Sequence, residues 1–183
     1  SRLSAREHTF EHFIGAALHL ALAAESNGDR FGAVTYSDGA HLFLPPRSGP
    51  EHFRACRETI YNLRPRPVNP NFRDIFARIQ TQIRRRSLLV FFTCLDDPLL
   101  AEAFDREVGV LARKHVVVVN SMQTSATGPL FAGSSPASMT QAYEGLAGQL
   151  LWNRLRTLEL DLGHRGVRMR IVTPETIRAR ATE

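Results

Sequence analysis

Two apolar runs without polar alternation constrain the fold of this chain more than any other feature. They are SLLVFFT at residues 87–93 and HVVVVN at residues 115–120. A strand with one solvent-exposed face alternates polar and apolar residues. An unbroken apolar run is instead typical of a strand that is covered on both faces. Between the runs, apolar residues recur at helical spacing from about residue 98 to residue 114. A buried strand, a helix and a second buried strand together predict a parallel sheet.

The rest of the chain extends this alternation of helices and strands. Apolar residues at three- and four-residue steps predict an opening helix that ends at Asn27-Gly28. A hairpin follows, with its turn at Asp38-Gly39 and its second strand stopped by Pro45-Pro46. Next come a helix from Gly49-Pro50, an extended connection at residues 64–70, and a helix that is capped by Asn71 and ended by Arg84, Arg85 and Arg86. After the first apolar run, a helix from Pro98 to Lys114 is predicted, and the second run is followed by a loop at residues 121–135. The chain then continues with a helix from Ser135-Pro136 to about Leu162, an edge strand at residues 167–172 and a short helix from Thr173.

This order predicts an α/β fold: a mostly parallel sheet in a three-layer α/β/α sandwich with one antiparallel hairpin strand, in a single domain over residues 1–183. The opening helix has no preceding strand, although a doubly wound sheet starts with the strand that becomes its centre. We therefore expect the first central strand to lie upstream of Ser1, so that the domain is truncated at its N-terminus. Without that strand, either its two neighbours close up or another chain fills the gap through exposed strand edges.

Composition narrows the class of protein. The chain has 183 residues and a formal net charge of +5, but its basic residues are arginines apart from Lys114. No stretch interleaves aromatic and basic residues as a nucleic-acid stacking platform does, so we expect no nucleic-acid partner.

No run approaches the roughly 18 apolar residues that a bilayer span needs, so this segment is not expected to lie in a membrane; an anchor upstream stays open. Cys56 and Cys94 are interpreted as buried thiols of a reducing compartment, which favours a cytoplasmic location.

Five stretches in order indicate a family. They are SRL at residues 1–3, GDRFGAVTYSD at 28–38, LPPRSG at 44–49, RRRSLLVFFT at 84–93 and LARKHVVVVN at 111–120. In these stretches the chain resembles the von Willebrand factor A-like fold, a Rossmann-like fold, and more narrowly the bacterial domain-of-unknown-function family 58, commonly encoded beside MoxR-type AAA+ ATPases. The resemblance implies a protein-interaction or adaptor module with such an ATPase as partner; a homo-oligomer also stays open.

The resemblance also implies a place for a metal ion. A von Willebrand A domain holds Mg²⁺ at the carboxyl edge of its sheet through Asp-x-Ser-x-Ser after the first strand, a Thr from a second loop and an Asp after the fourth strand. Carried over by position, the leading Asp falls upstream of Ser1, and Ser1 matches the first serine. Leu3 stands at the second serine, with Ser4 adjacent but out of register. Oxygen donors of this kind suit a hard ion such as Mg²⁺.

The other two positions of the ion site also depart from the family pattern. Asn69 or Asn71 stands in place of the Thr, and Cys94 in place of the final Asp. A thiol prefers softer metals than Mg²⁺. The resemblance thus implies a degenerate ion site, and we expect no resident metal or other cofactor. The residues assigned to a partner-binding edge are Ser1, Ser4, Asn69, Asn71, Cys94, Asp96 and Asp97.

An enzyme is the alternative interpretation. A strand end that faces a helix N-terminus lowers a thiol pKa, so Cys94 with Asp96 or Asp97 could form a hydrolase-type site. However, a cysteine phosphatase places an arginine six residues on, where Leu100 stands, and no histidine lies nearby in sequence to act as a base. A buried thiol at Cys94 and caps at Asp96 and Asp97 explain these residues without catalysis. We expect no catalytic residues and a non-enzymatic module.

Overall fold

The computed structural model describes residues 2–36, 40–65, 69–123, 127–129 and 138–173, with the side chains of residues 2–7, 40 and 41 left aside. These residues fall into two compact units. One contains the described residues up to Arg85, and the other runs from Arg86 to Thr173. The expectation of one domain over residues 1–183 stays a prediction. The predicted Asp38-Gly39 turn and the helix after Thr173 lie outside the described residues.

The first unit contains three helices and an antiparallel strand pair. Its elements are α1 (Arg2–Ser26), β1 (Phe31–Tyr36), β2 (Ala40–Arg47), α2 (Pro50–Tyr61) and α3 (Phe72–Gln82). The predicted end of α1 is confirmed, because Gly28 takes up a left-handed φ of 70° just after the helix. Asn71 caps α3 as predicted: its side chain accepts a hydrogen bond from the backbone N–H of Asp74.

Strand β2 does not stop where the sequence predicted. It continues through Pro45 and Pro46 to Arg47, which pairs with Phe31 of β1. The pairing is irregular between Phe31 and Ala33, where a residue is out of register. A proline lacks the N–H that a regular ladder needs, but a bulged strand pair tolerates it. The prediction that the two prolines end the strand was therefore wrong.

The core of this unit lies along α2 and α3. Its buried residues on these helices are Phe53, Cys56, Ile60, Phe72, Ile75, Phe76 and Ile79. Helix α3 ends at Gln82, because Ile83 already has extended dihedral angles and is buried. The three arginines from Arg84 to Arg86 therefore follow the helix instead of forming its last turn, which corrects the predicted helix end.

The second unit is a parallel α/β layer. Its elements are β3 (Leu88–Thr93), α4 (Pro98–Ala112), β4 (Val116–Met122), α5 (Met139–His164) and β5 (Val167–Val172). The strands run parallel in the order β3-β4-β5, which confirms the predicted parallel sheet. Helix α5 begins at Met139, and Ser138 is its cap, because its hydroxyl accepts a hydrogen bond from the N–H of Gln141. The predicted start at Ser135-Pro136 lies outside the described residues.

The burial of the strands follows the sequence pattern in part. Leu89, Phe91 and Thr93 of β3 are buried, whereas Val90 and Phe92 between them are half-buried. On β5, exposed arginines alternate with buried Val167 and Met169, which confirms the predicted strand with one wet face. The described strands form two sheets, β1-β2 and β3-β4-β5. None of the described helices combines the length and apolar character that a membrane crossing requires.

Candidate functional site at the carboxyl edge of the parallel sheet

The carboxyl ends of β3 and β4 meet at Thr93 and Ser121, which are register partners. Ligands of open α/β sheets bind outside this edge, so it is the natural place to look for function. Both side chains are buried, and the Ser121 hydroxyl accepts a hydrogen bond of 3.2 Å from the backbone N–H of Leu95. This bond fixes the loop after β3 onto the end of β4. The sequence analysis missed Ser121, although its place directly after the HVVVVN run was a signal for it.

Asp97 has a structural role in this loop. Its carboxylate accepts hydrogen bonds from the backbone N–H groups of Leu99, at 2.8 Å, and Leu100, at 3.4 Å. It is therefore the N-cap of α4, and Pro98 occupies the first turn. The interpretation of Asp97 as a cap is confirmed. A carboxylate that is used in this way has fewer lone pairs left for an ion.

Cys94 and Asp96 lie in the same loop, between the end of β3 and the cap of α4. Both residues are half-buried, and the Oδ1 atom of Asp96 is buried. The edge thus combines a soft thiol sulfur, a partly buried carboxylate and the buried Ser121 hydroxyl. The structure places Cys94, Asp96 and Asp97 together on one loop, as their sequence order requires.

The other predicted edge residues belong to the first unit. Asn71 is occupied as the cap of α3, and its amide also donates to the Asp74 carboxylate at 2.7 Å. Asn69 is exposed. Ser4 lies in α1, where its side chain is not described, and Ser1 lies outside the described residues. The assignment of these residues to one partner-binding edge stays a prediction.

The described part of the loop after β4 is attached to its surroundings by backbone groups. The N–H of Gln123 donates to the carbonyl oxygen of Val172 at the end of β5. The Gln123 side chain donates to the carbonyl oxygen of Thr127, and Thr127 is itself buried. The N–H of Gly128 donates to the carbonyl oxygen of Gly148 on α5. These hydrogen bonds attach the described loop residues to the end of β5 and to α5.

A cysteine–histidine pair that the sequence analysis did not single out occurs on α2. The Nε2 atom of His52 lies 2.9 Å from the carbonyl oxygen of Phe31 and 3.3 Å from the sulfur of Cys56. A carbonyl only accepts, so Nε2 carries a proton and cannot also take the proton of the thiol. Burial raises the pKa of the Cys56 thiol, which keeps it protonated. The pair therefore links α2 to β1 and does not form an activated nucleophile.

The acidic, thiol and imidazole groups do not converge elsewhere in the described ranges. Within them, no group of three or more histidine, cysteine, aspartate or glutamate side chains stands close enough to hold a metal ion. The buried His115 lies just before β4, at the opposite end of the strand from Ser121. The carboxyl edge of β3 and β4 thus remains the best-defined candidate site of the second unit.

Comparison with known proteins gives a family and no closer relative. Residues 3–127 match the family described as "Protein of unknown function DUF58". No curated protein and no solved structure gives a significant match to the chain. The matched range contains β1 to β4 and the loop from Cys94 to Asp97. Since this range is more than half of the 183 residues, the chain belongs to the DUF58 family.

Proposed function

We propose that the chain is a non-enzymatic protein-interaction module of von Willebrand A type that acts as partner or adaptor of a MoxR-type AAA+ ATPase. Its family membership and the parallel β3-β4-β5 sheet with intervening helices support this proposal. The three-layer von Willebrand A arrangement and a cytoplasmic location belong to the proposal as well. The binding surface is the carboxyl edge, with the loop from Cys94 to Asp97 at its centre.

One observation carries the proposal: polar side chains at this edge form hydrogen bonds to backbone groups of the same edge. The Asp97 carboxylate caps α4, and the Ser121 hydroxyl holds the N–H of Leu95. A catalytic site needs its acid, base or nucleophile directed toward a substrate, with a base within hydrogen-bond reach of the nucleophile. At this edge the hydrogen-bonding groups instead fix the loops in place. The edge is therefore a rigid surface of fixed shape, which suits recognition of a protein.

The proposal includes the loss of the family's ion site. The donors at this edge do not fit Mg²⁺, which requires oxygen ligands in near-octahedral geometry. Cys94 offers sulfur where the family pattern has a carboxylate, and Asp97 already accepts two backbone hydrogen bonds. Soft thiolate sulfur selects other metals. The edge therefore has the position of an adhesion site without its ligand set.

The test is direct binding to a purified MoxR-type ATPase, measured by calorimetry with the chain and with two variants. Asp96→Asn changes a carboxylate of the loop at the centre of the proposed surface, and Glu102→Gln makes the same change at an exposed residue of α4 outside it. We expect the edge variant to bind roughly tenfold more weakly, about 1.4 kcal/mol, and the α4 variant to bind like the unaltered chain. Absence of binding, or equal losses in both variants, would refute the proposal.

The hydrolase alternative has its own support in the loop: Cys94 and the partly buried Asp96 are close in sequence at a strand end. It predicts turnover of an activated ester or phosphate ester that Cys94→Ser abolishes. Turnover that survives Cys94→Ser would exclude Cys94 as the nucleophile. Loss of turnover in that variant with an unchanged melting temperature would instead establish the enzyme and displace the adaptor proposal.

A further inference from the structure

The outer face of α5 carries four large apolar side chains that are exposed to solvent. Met139 is 74% exposed, Tyr143 66%, Leu146 48% and Leu150 63%. They follow one another at steps of four, three and four residues, so they form a single stripe along three turns of the helix. We refer to these four residues as the α5 stripe.

The opposite face of the same helix is already used for packing. Gly148, Leu155 and Leu162 are the buried residues of α5, and they recur every seven residues. At 100° per residue, Gly148 points about 200° away from Leu146 and from Leu150. Helix α5 is therefore packed on one side and carries, in its first half, large apolar residues on the opposite side. A helix with this pattern is ordinarily covered on both sides.

We propose that the α5 stripe is an interface between two copies of this chain, whose α5 helices pack antiparallel around a two-fold axis. The spacing of the stripe reads the same in both directions. An antiparallel partner centred between Glu144 and Gly145 therefore sets Met139 against Leu150 of the second copy and Tyr143 against Leu146 of the second copy. A two-fold interface requires such a self-complementary surface. This inference does not depend on the proposed adaptor function.

The chemistry of the stripe also favours a second copy. None of its four residues is charged, so two copies meet without opposing like charges. Leu150 also lines a cleft of about 370 Å³ between α4 and α5. In the antiparallel arrangement Met139 of the second copy lies beside this cleft, and the flexible methionine side chain is suited to filling an irregular gap.

The size of the stripe indicates the strength of the dimer. Taking about 150–250 Å² for a fully exposed side chain of this size, the stripe offers roughly 400–600 Å² per copy. Stable interfaces bury about 800 Å² on each partner. We therefore expect a reversible dimer that dissociates on dilution through the micromolar range.

Sedimentation velocity across a concentration series tests the interface. The unaltered chain is expected to pass from monomer to dimer as its concentration rises. Leu146→Lys and Tyr143→Glu are each expected to keep the chain monomeric at the same concentrations, with at least a tenfold weaker association. Leu99→Lys is the matched control, because Leu99 is 76% exposed on α4 and lies outside the stripe; this variant should dimerise normally.

Mixing the two single variants tests the arrangement of the helices. In the antiparallel pair, Glu at position 143 of one variant faces Lys at position 146 of the other, while Leu146 and Tyr143 still meet on the other side of the axis. An equimolar mixture should therefore form a heterodimer that neither variant alone forms.

A chain that stays monomeric at every concentration, or a dimer that Leu146→Lys does not weaken, would overturn the proposal. The stripe would then be covered by another segment of the chain or by a different protein. Failure of the mixture alone would overturn the antiparallel pairing.

Discussion

At the scale of single residues, His115 is the group whose environment has the clearest consequence. It is only 4% exposed, and neither ring nitrogen has a hydrogen-bond partner within the described part of the chain. Burial, and secondarily the charge of Lys114, lowers its pKa. A buried imidazole without partners is tolerated while it is neutral and becomes costly when it is protonated.

This lowered pKa predicts how stability depends on pH. In the unfolded chain His115 takes up a proton near pH 6.5. In the folded chain it stays neutral to a lower pH, so between the two pKa values the unfolded state binds more protons than the folded state. The contribution of the neutral His115 side chain to folding stability is fully present above about pH 6.5 and is lost as the pH falls toward the pKa of the folded state. The slope from this group is at most about 1.4 kcal/mol per pH unit.

Urea unfolding at pH 7.5 and 5.5 measures the effect. His115→Leu should lose less stability between these two pH values than the unaltered chain does. Gly109→Ala on α4, where nothing stands within 4 Å of the added Cβ, is the control and should leave the pH dependence unchanged. Equal pH dependence in the His115 variant and the unaltered chain would contradict the assignment.

Individual side-chain roles were predictable from the sequence where the interaction is local. The caps at Asn71 and Asp97 involve backbone groups two or three residues away, so residue type and position suffice. The bond from the Leu95 N–H to the Ser121 hydroxyl spans 26 residues and depends on strand register, which the sequence pattern does not contain. The link between His52 and Cys56 spans one helical turn and could have been found from the helix alone.

At the scale of the element, the pairing of β1 with β2 depends on Gly32. A Cβ atom at this position would lie 2.6 Å from the carbonyl oxygen of Leu44 and 2.9 Å from the backbone nitrogen of Pro46. Both contacts are to backbone, so a side chain at Gly32 would force the two strands apart. The close approach also explains why β2 passes through its two prolines: the irregular pairing there replaces a regular ladder.

Two glycine substitutions test this account of the strand pair. Gly32→Ala is expected to destabilise the chain by about 1–3 kcal/mol, the cost of forcing atoms into a filled space. Gly15→Ala is the matched control, because it lies inside α1 and nothing stands within 4 Å of its added Cβ; it should stabilise by about 1 kcal/mol through helix propensity. Urea unfolding of both variants measures the difference. A Gly32→Ala variant as stable as the unaltered chain would show that the strands can separate at no cost.

The elements also show where a periodic pattern misleads. Helix α5 has large apolar residues on two sides, so its apolar positions did not reveal which side packs against β5. The predicted start of α5 at Ser135-Pro136 lies outside the described residues, whereas Ser138 caps the helix that the structure describes. The β-branched and aromatic runs of β3 and β4 were assigned correctly, because no helical spacing competes with them.

At the scale of the whole molecule, the order of elements and the parallel sheet were predictable, whereas the division into two units was not. Alternation of buried strands and helices determines a parallel β3-β4-β5 layer almost by itself. Pairing between distant strands leaves no periodic signal, so the sequence did not predict that the described strands form two sheets. Parallel strands bring their carboxyl ends to one edge, so the sequence pattern indicated where such a sheet binds ligands, but a functional site at this edge stays a prediction.

The proposed loss of the ion site can be tested on the chain as it is. An ion that binds only the folded state raises stability by RT ln(1 + [L]/Kd), about 2.7 kcal/mol at a hundredfold excess over Kd. Because sulfur at Cys94 and the capping carboxylate of Asp97 do not suit a hard ion, we expect Mg²⁺ and Mn²⁺ at millimolar concentration to leave the melting temperature unchanged. Glu102→Gln, which removes an exposed carboxylate of α4 outside the edge, serves as the control for non-specific ion effects and should give the same flat titration. A clear rise for the unaltered chain that EDTA reverses and that Asp96→Asn abolishes would mean that the edge still binds a divalent ion. The adaptor proposal would then have to include that ion as part of the binding surface.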